Sequence, residues 1–162
     1  MSHTLILGFG NVDRQDDGVA WHILVQLAKY FNGQAPASPD EEFSSNLQGI
    51  DFLFVLQLTP ELAETLAPYE RVCFVDAHTG NVPTDVNIAP ITSAFVSSPF
   101  THHLTPSSLL SFAQTLYGKS LQATLVSVRG FEFGFSNALS DGTASLAQEA
   151  VEQIKQWLVH TN

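Results

Sequence analysis

Acidic and imidazole side chains occur at three points of this chain where folding could bring them together. They are the acidic pair Asp16 and Asp17, the single acid Asp76, and the histidine pair His102 and His103. Carboxylates and imidazoles form the mixed oxygen and nitrogen donor set that suits nickel, zinc or another first-row metal. Two carboxylates and one imidazole leave coordination positions open for water or a substrate group, as a catalytic metal site requires.

Both acidic points follow a predicted buried strand. Leu5–Leu7 is an unbroken apolar run too short for a helix, and Gly8 and Gly10 then allow a sharp turn ahead of the acidic pair. The apolar strand predicted over 71–75 runs directly into Asp76. Ligands of open α/β sheets bind at the carboxyl ends of the strands. We therefore expect the acids to meet at one edge of a sheet.

Each candidate also has a structural explanation that the sequence leaves open. Asp16 and Asp17 stand where a helix would begin, so they could cap its backbone N–H groups and favour its dipole. Asp76, directly after a buried strand, must be solvated, hydrogen-bonded or coordinated. His102 and His103 lie in a predicted loop without an apolar face, so the pair alone does not establish a site.

The hydrophobic periodicity of the whole chain predicts alternating strands and helices. Strands are predicted over 5–7, 50–56, 71–75, 86–91 and 124–128, and helices over 19–30, 59–68, 105–117 and 140–159. Residues 129–135 are expected to form a loop or a short strand. The order implies an α/β three-layer sandwich, a twisted, mostly parallel sheet of about five strands with helices on both faces. The length suits a single domain over 1–162, with strand 86–91 at an edge.

The composition restricts the kinds of partner. The chain has 16 acidic and 6 basic residues and a formal net charge of −10, which disfavours binding to nucleic acid or to an anionic membrane surface. No stretch resembles a signal peptide or approaches the ~18 apolar residues of a membrane span, so a cytoplasmic location is expected. The single cysteine, Cys73, lies in an apolar run and is predicted to be a buried core thiol.

Other catalytic motifs find little support in the sequence. Gly8-Phe9-Gly10 begins like a dinucleotide-binding fingerprint, but Asp13 stands where that fingerprint has another glycine, and an acid there would repel a pyrophosphate. There is no Walker lysine motif and no nucleophile elbow, and the surroundings of Cys73 are too apolar for a nucleophile. Metal chemistry is therefore favoured, with a Rossmann-like nucleotide-binding module as an alternative.

Taken together, the three stretches resemble the hydrogenase maturation proteases, endopeptidases that trim the C-terminal extension from the large subunit of nickel-iron hydrogenases. Leu7–Asn11 followed by Asp16–Gly18 resembles the glycine-asparagine turn and acidic pair of that family. Phe74–Ala77 is similar to the family's apolar strand ending in Asp-Ala, and Thr101–Leu104 is similar to its histidine motif. The resemblance covers nearly the whole length of the chain.

This resemblance assigns the functional residues of the family to positions of this chain. It implies that Asp17, Asp76 and His102 bind metal and serve catalysis, with His103 as the second choice for the histidine. It also implies the three-layer fold and a metal-dependent processing endopeptidase without a catalytic serine or cysteine. The implied cofactor is nickel carried by the substrate precursor, and another divalent metal in the isolated protein is left open.

One departure from the family pattern follows the second predicted strand. Many members carry Asp-Gly-Gly-Thr there, whereas this chain has Leu56-Gln57-Leu58-Thr59. The change is expected to reshape the floor of the cleft, and the chain is similar to a group that processes soluble, bidirectional hydrogenases. The implied partner is a nickel-iron hydrogenase large-subunit precursor, and a monomer or weak homo-oligomer is expected. A non-catalytic sensor or chaperone for the nickel-loaded precursor is the alternative from another functional class.

Overall fold

The computed structural model describes residues 3–94 and 104–160 of the chain. The strands are β1 Thr4–Phe9, β2 Ile50–Val55, β3 Arg71–His78, β4 Val86–Ile91 and β5 Gln122–Arg129. The α-helices are α1 Val19–Asn32, α2 Leu62–Leu66, α3 Pro106–Tyr117 and α4 Asp141–Val159, and a 3₁₀ turn over Gln15–Gly18 leads into α1. Among these described helices, none has the length and apolar character needed to cross a membrane.

The strands form one sheet in the order β2-β1-β3-β5-β4. β1 pairs in parallel with β2 and β3, and β3 pairs in parallel with β5, while β4 runs antiparallel along β5 at the edge. The predicted mostly parallel sheet is therefore confirmed, and the edge strand has the predicted bounds of 86–91. Because β1 and β3 are neighbours, residues at their carboxyl ends lie side by side at one edge of the sheet.

Side chains of the central strands alternate between two apolar cores, one on each face of the sheet. Ile6, Cys73 and Val75 pack with α1 and α4 on one face, and Leu7 and Phe74 pack with α2 and α3 on the other. All five are fully buried. Burial on both faces explains why β1 and β3 are unbroken apolar runs, and it confirms both the helical layers and the buried thiol.

Several helix boundaries follow the capping residues in the sequence. Thr105 and Ser140 are the N-caps of α3 and α4, and each side-chain oxygen accepts a hydrogen bond from a backbone N–H three residues further on. At the other end, α1 stops at Gly33, whose φ of 75° is left-handed. Local capping chemistry therefore fixes these ends as predicted.

Several elements differ from their predicted bounds, and α2 and β3 differ in ways that need a physical reason. α2 has only 5 residues, with no side-chain cap, and not the ten of 59–68; the carbonyl of Thr59 accepts the N–H of Leu62 in a turn that precedes it. β3 continues to His78, beyond the predicted end at Val75, because β5 pairs with it over its full length. As a result, Asp76 lies within the strand and not after it.

Candidate functional site

The turn between β1 and α1 holds the carboxylate of Asp17. The backbone N–H of Asn11 donates to Oδ2 of Asp17 over 2.9 Å, while the side-chain oxygen of Asn11 accepts from the N–H of Asp13 over 2.9 Å. Gly10 has a φ of 144°, and a Cβ at this position would collide with the carbonyl oxygen of Asp17. Only glycine suits this position, and the turn therefore orients Asp17.

Asp76 lies near the carboxyl end of β3, beside the strand that leads to Asp17. Burial raises the pKa of Asp76 to about 7; the N–H of Ala77, which donates to its Oδ1 over 2.7 Å, opposes the rise, and the charge of Asp17 adds to it. The two carboxylates are thus close enough for one to disfavour ionisation of the other. A cation between them would relieve this repulsion and favour the ionised form of both.

Asp17 and Asp76 line one open cleft of about 630 Å³ at the carboxyl edge of the sheet. Other parts of its wall are Asn11, Arg14, Leu56, Gln57, Leu104 and Phe133. The volume lies within the range of sites that bind small molecules or short segments, about 300–1,000 Å³. The expectation that the two acids meet at this edge of the sheet is therefore confirmed.

Asp16 is fully buried and caps neither the 3₁₀ turn nor α1, since both starts lack a side-chain cap. Its Oδ1 accepts the N–H of Ser140 over 2.8 Å, and its Oδ2 accepts those of Phe131 and Glu132 over 2.8 and 3.0 Å. The hydroxyls of Ser140 and Thr143 also lie against Oδ2, at 2.7 and 2.8 Å. The capping role considered for the acidic pair is therefore wrong, and Asp16 instead fixes the start of α4 and the loop after β5.

These hydrogen bonds set the charge of Asp16. Burial raises the pKa of Asp16, but the donors of Ser140, Glu132 and Phe131 together outweigh burial and hold the pKa at about 2. Asp16 is consequently ionised at neutral pH, whereas Asp76 is held near its protonation midpoint. The pKa values of the two acids differ because several hydrogen-bond donors surround the carboxylate of Asp16, whereas only the N–H of Ala77 opposes the effect of burial on Asp76.

The residues just before Asp16 hold the same loop. We call residues 131–135, Phe-Glu-Phe-Gly-Phe, the phenylalanine segment. The guanidinium of Arg14 donates through Nε and Nη2 to the carbonyl of Phe133 over 3.2 and 3.0 Å, and Oε1 of Gln15 accepts the N–H of Gly134 over 2.8 Å. Of the two predicted alternatives, a loop or a short strand, the structure thus shows a loop. Arg14 and Gln15, just before Asp17, hold it by hydrogen bonds.

His102 and His103 lie outside the described residues, so their role stays a prediction. Leu104, which follows them directly, lines the cleft. Within the described residues, no group of three or more His, Cys, Asp and Glu side chains could hold a metal ion. His78 is buried at the end of β3, where burial lowers its pKa, and it does not line the cleft. The described part of the chain therefore supplies two candidate ligands, Asp17 and Asp76.

Sequence reasoning missed the role of Asp16 and of the phenylalanine segment. The partners of Asp16 lie 115 to 127 positions further along the chain, and no local spacing rule connects residues so far apart. Most of the donors are backbone N–H groups, which almost any residue type supplies. The available signal is the pair of hydroxyl residues Ser140 and Thr143 at the start of a predicted helix, which indicates only the cap of α4.

Comparison of the sequence with protein-family models and with curated proteins gives no match. The fold, however, is similar to solved hydrogenase maturation proteases. HybD of E. coli, a hydrogenase maturating endopeptidase, superposes with a TM-score of 0.67 at 19% identity, covering 97% of this chain and 92% of its own. HycI of Thermococcus kodakarensis gives 0.68 at 19% identity, covering 98% and 94%, and HybD of that organism gives 0.66 at 19%, covering 96% and 99%. The chain thus has the fold that its motifs implied.

Proposed function

We propose that this protein is an endopeptidase that removes the C-terminal extension of a nickel-iron hydrogenase large-subunit precursor after nickel has been inserted. One observation carries the proposal: Asp17 and Asp76 line the same cleft at the carboxyl edge of the sheet. They do so in a fold similar, at TM-scores of 0.66 to 0.68, to that of maturation endopeptidases. The motifs around both acids resemble those of the same proteases.

In this proposal, Asp17, Asp76 and His102 bind the nickel ion of the precursor, which belongs to the substrate, and His103 is the second choice for the histidine. The raised pKa of Asp76 supports a cation site, because burial and, to a lesser degree, the charge of Asp17 disfavour its ionised form unless a positive charge compensates. Leu104 lines the cleft, and His102 precedes it by two positions, which supports a histidine ligand from this segment.

The bound metal would position the neighbouring peptide bond and polarise its carbonyl oxygen for attack by water. The protein itself would bind and orient the metal. Gly10 and the N–H of Asn11 hold Asp17 in position, and β3 holds Asp76. Cys73 is no alternative nucleophile, because it is fully buried and burial raises the pKa of its thiol. Cleavage in this mechanism requires metal in the substrate.

The test is incubation of purified protein with nickel-loaded and nickel-free precursor, followed by intact mass measurement. We expect the loaded precursor to lose its C-terminal peptide and the nickel-free precursor to stay intact. Equal cleavage of both forms would refute metal recognition. Binding of the loaded precursor without any loss of mass would instead support a sensor or chaperone, and saturable calorimetric binding of nucleotides would support a Rossmann-like module.

The departure after β2 bears on the subclass of substrate. Leu56, Gln57 and Leu58 all line the cleft, so they are placed to contact whatever polypeptide enters it. We propose that the substrate belongs to a soluble, bidirectional hydrogenase. Cleavage rates of precursors from that class and from a membrane-bound class, compared in parallel, test this; faster cleavage of the membrane-bound precursor would refute it.

A further inference from the structure

Large apolar side chains are exposed in the phenylalanine segment, of which Phe133 lines the cleft. Phe135 is 93% exposed and Phe131 is 48% exposed, although both belong to a segment whose backbone is well bonded. Scattered apolar residues on a surface need no explanation, but neighbouring exposed aromatic residues beside a cleft mark a contact surface for a partner. The phenylalanine segment is therefore a candidate docking surface.

The backbone of this segment is held in place before any partner arrives. Three consecutive residues, Arg14, Gln15 and Asp16, bind the carbonyl of Phe133, the N–H of Gly134 and the N–H groups of residues 131 and 132. The guanidinium carbon of Arg14 also lies 5.3 Å from the centre of the Phe135 ring. A surface ordered in this way loses little conformational entropy when it binds.

The exposed residues are continuous with the cleft. Phe133 lines it from the loop after β5 and Arg14 from the turn after β1. Leu56, which is 64% exposed, lines it from the loop after β2. In the sheet, β2 and β5 flank the central pair β1 and β3. The two acids therefore lie in the middle, with an apolar rim on either side.

The size of the cleft limits what can enter it. A volume of about 630 Å³ is that of a site for a small molecule or a short peptide stretch. The remainder of a protein substrate has to lie on the rim while its peptide occupies the cleft. The net charge of −10 disfavours an anionic membrane as the partner of this rim.

We propose that Phe135, Phe133 and Leu56 form a docking surface for an apolar segment of the protein substrate, close to the peptide bond that is cut. This inference rests on the proposed function and adds where the substrate makes contact outside the metal site. Arg14 forms no ion pair with Asp17 or Asp76 in the described part of the chain. Its contacts with Phe133 and Phe135 indicate that it supports the rim.

The experiment compares Phe135→Ser and Leu56→Ser with the control Leu47→Ser. Leu47 is 94% exposed and does not line the cleft, so it matches Phe135 in exposure. For the nickel-loaded precursor we expect KM to rise roughly tenfold in the first two variants, as for the loss of a buried apolar anchor, with kcat nearly unchanged. Melting temperatures should match that of the wild type, since the removed side chains are mostly exposed.

Affinity for the precursor, measured by calorimetry, provides a readout that does not require cleavage. Weaker binding by Phe135→Ser and Leu56→Ser than by Leu47→Ser would support the docking surface even if the wild-type protein did not cut, an outcome that refutes only the proposed function. If cleavage occurs and KM and affinity are the same in all variants, the docking surface is wrong and the proposed function stands.

Discussion

Asp16 and Asp17 are consecutive in the chain but occupy opposite environments. The carboxylate of Asp16 is fully buried among the donors of the loop after β5 and of α4, whereas that of Asp17 lines the open cleft and accepts one hydrogen bond from Asn11. The 3₁₀ turn permits this division, because it directs adjacent side chains to different sides. Asp16 therefore connects distant parts of the structure, while the neighbouring Asp17 is open to the cleft.

Asp17→Asn is expected to abolish processing and leave stability nearly unchanged. The amide oxygen of Asn keeps an acceptor for the N–H of Asn11, so the turn is preserved, but the charge that we propose to bind a cation is lost. We expect cleavage of loaded precursor to fall more than about 100-fold, as measured by intact mass over time. Asp13→Asn, at an exposed acid in the same turn, is the control and should cleave normally; a large fall in melting temperature for Asp17→Asn would mean that this acid is structural.

Asp16→Asn, unlike Asp17→Asn, is expected to destabilise the protein. Phe131, Glu132 and Ser140 all donate backbone N–H groups to this carboxylate. In Asn, the side-chain NH₂ group would therefore be placed against other hydrogen-bond donors. We expect the free energy of unfolding to fall by about 2–4 kcal/mol, measured by urea denaturation. A stability equal to that of Asp17→Asn would contradict the role given to Asp16.

The same acid predicts a dependence on pH. The folded-state pKa of Asp16 is about 2 and its ordinary value is 3.8, so its stabilisation is present above pH ~4 and is lost as the pH falls toward ~2. The loss amounts to about 2 kcal/mol. Urea midpoints of the wild type should therefore fall more steeply below pH ~4 than those of Asp16→Asn; parallel curves would argue against a depressed pKa.

Asp76→Asn is expected to stabilise the metal-free protein at neutral pH and to abolish cleavage. Burial, with a smaller contribution from the charge of Asp17, raises the folded pKa of Asp76 from 3.8 to about 7. The ionised carboxylate therefore increasingly costs stability as the pH rises from ~4 to ~7. We expect a gain of about 1–3 kcal/mol at pH ~7.5 that shrinks toward pH ~4. Urea denaturation at both pH values measures it, and a destabilised variant at the higher pH would contradict the prediction.

Gly10→Ala should damage both fold and site, because a Cβ at this position meets the carbonyl oxygen of Asp17 and the φ of 144° is unfavourable for any other residue. We expect a loss of about 2–4 kcal/mol in the free energy of unfolding together with loss of cleavage. Gly118→Ala is the matched control: its φ of 65° is also positive, but nothing lies within 4 Å of the added carbon. Equal losses in the two variants would show that the contact with Asp17 is unimportant.

His102→Ala and His103→Ala, compared side by side, test which imidazole binds the substrate's nickel. We expect His102→Ala to lose cleavage and His103→Ala to retain it, because only the former matches the family position of the ligand. Melting curves of both variants check that they fold. Full activity in both would remove histidine from the ligand set.

The fold was predictable wherever it depends on local chemistry. Apolar runs buried on both faces identified β1 and β3, and Thr105, Ser140 and Gly33 marked helix ends because capping acts within a few residues. The bounds of β3 were not predictable, since its extension through Asp76 to His78 depends on pairing with β5. Propensity also overestimated α2, where Thr59-Pro60 forms a turn before a helix of 5 residues.

The candidate site was predictable only in part for the same reason. That Asp17 and Asp76 line one cleft follows from their places toward the carboxyl edge of a mostly parallel sheet, where such sheets bind ligands. The partners of Asp16 do not follow from this, because its hydrogen bonds depend on how a distant loop returns across the sheet edge. Only the folded structure therefore distinguishes Asp16, which is buried and supports the loop, from Asp17, which lines the cleft.

The bonds between Asp16 and residues up to 127 positions later in the chain also constrain when the cleft forms. During synthesis, the turn that holds Asp17 leaves the ribosome well before residues 131–143, which supply the donors around Asp16. Until those residues arrive, the carboxylate of Asp16 lacks these donors and the cleft lacks Phe133. The cleft is therefore complete only after residue 143 has emerged, and a chain truncated before Ser140 is expected to be inactive in the cleavage assay.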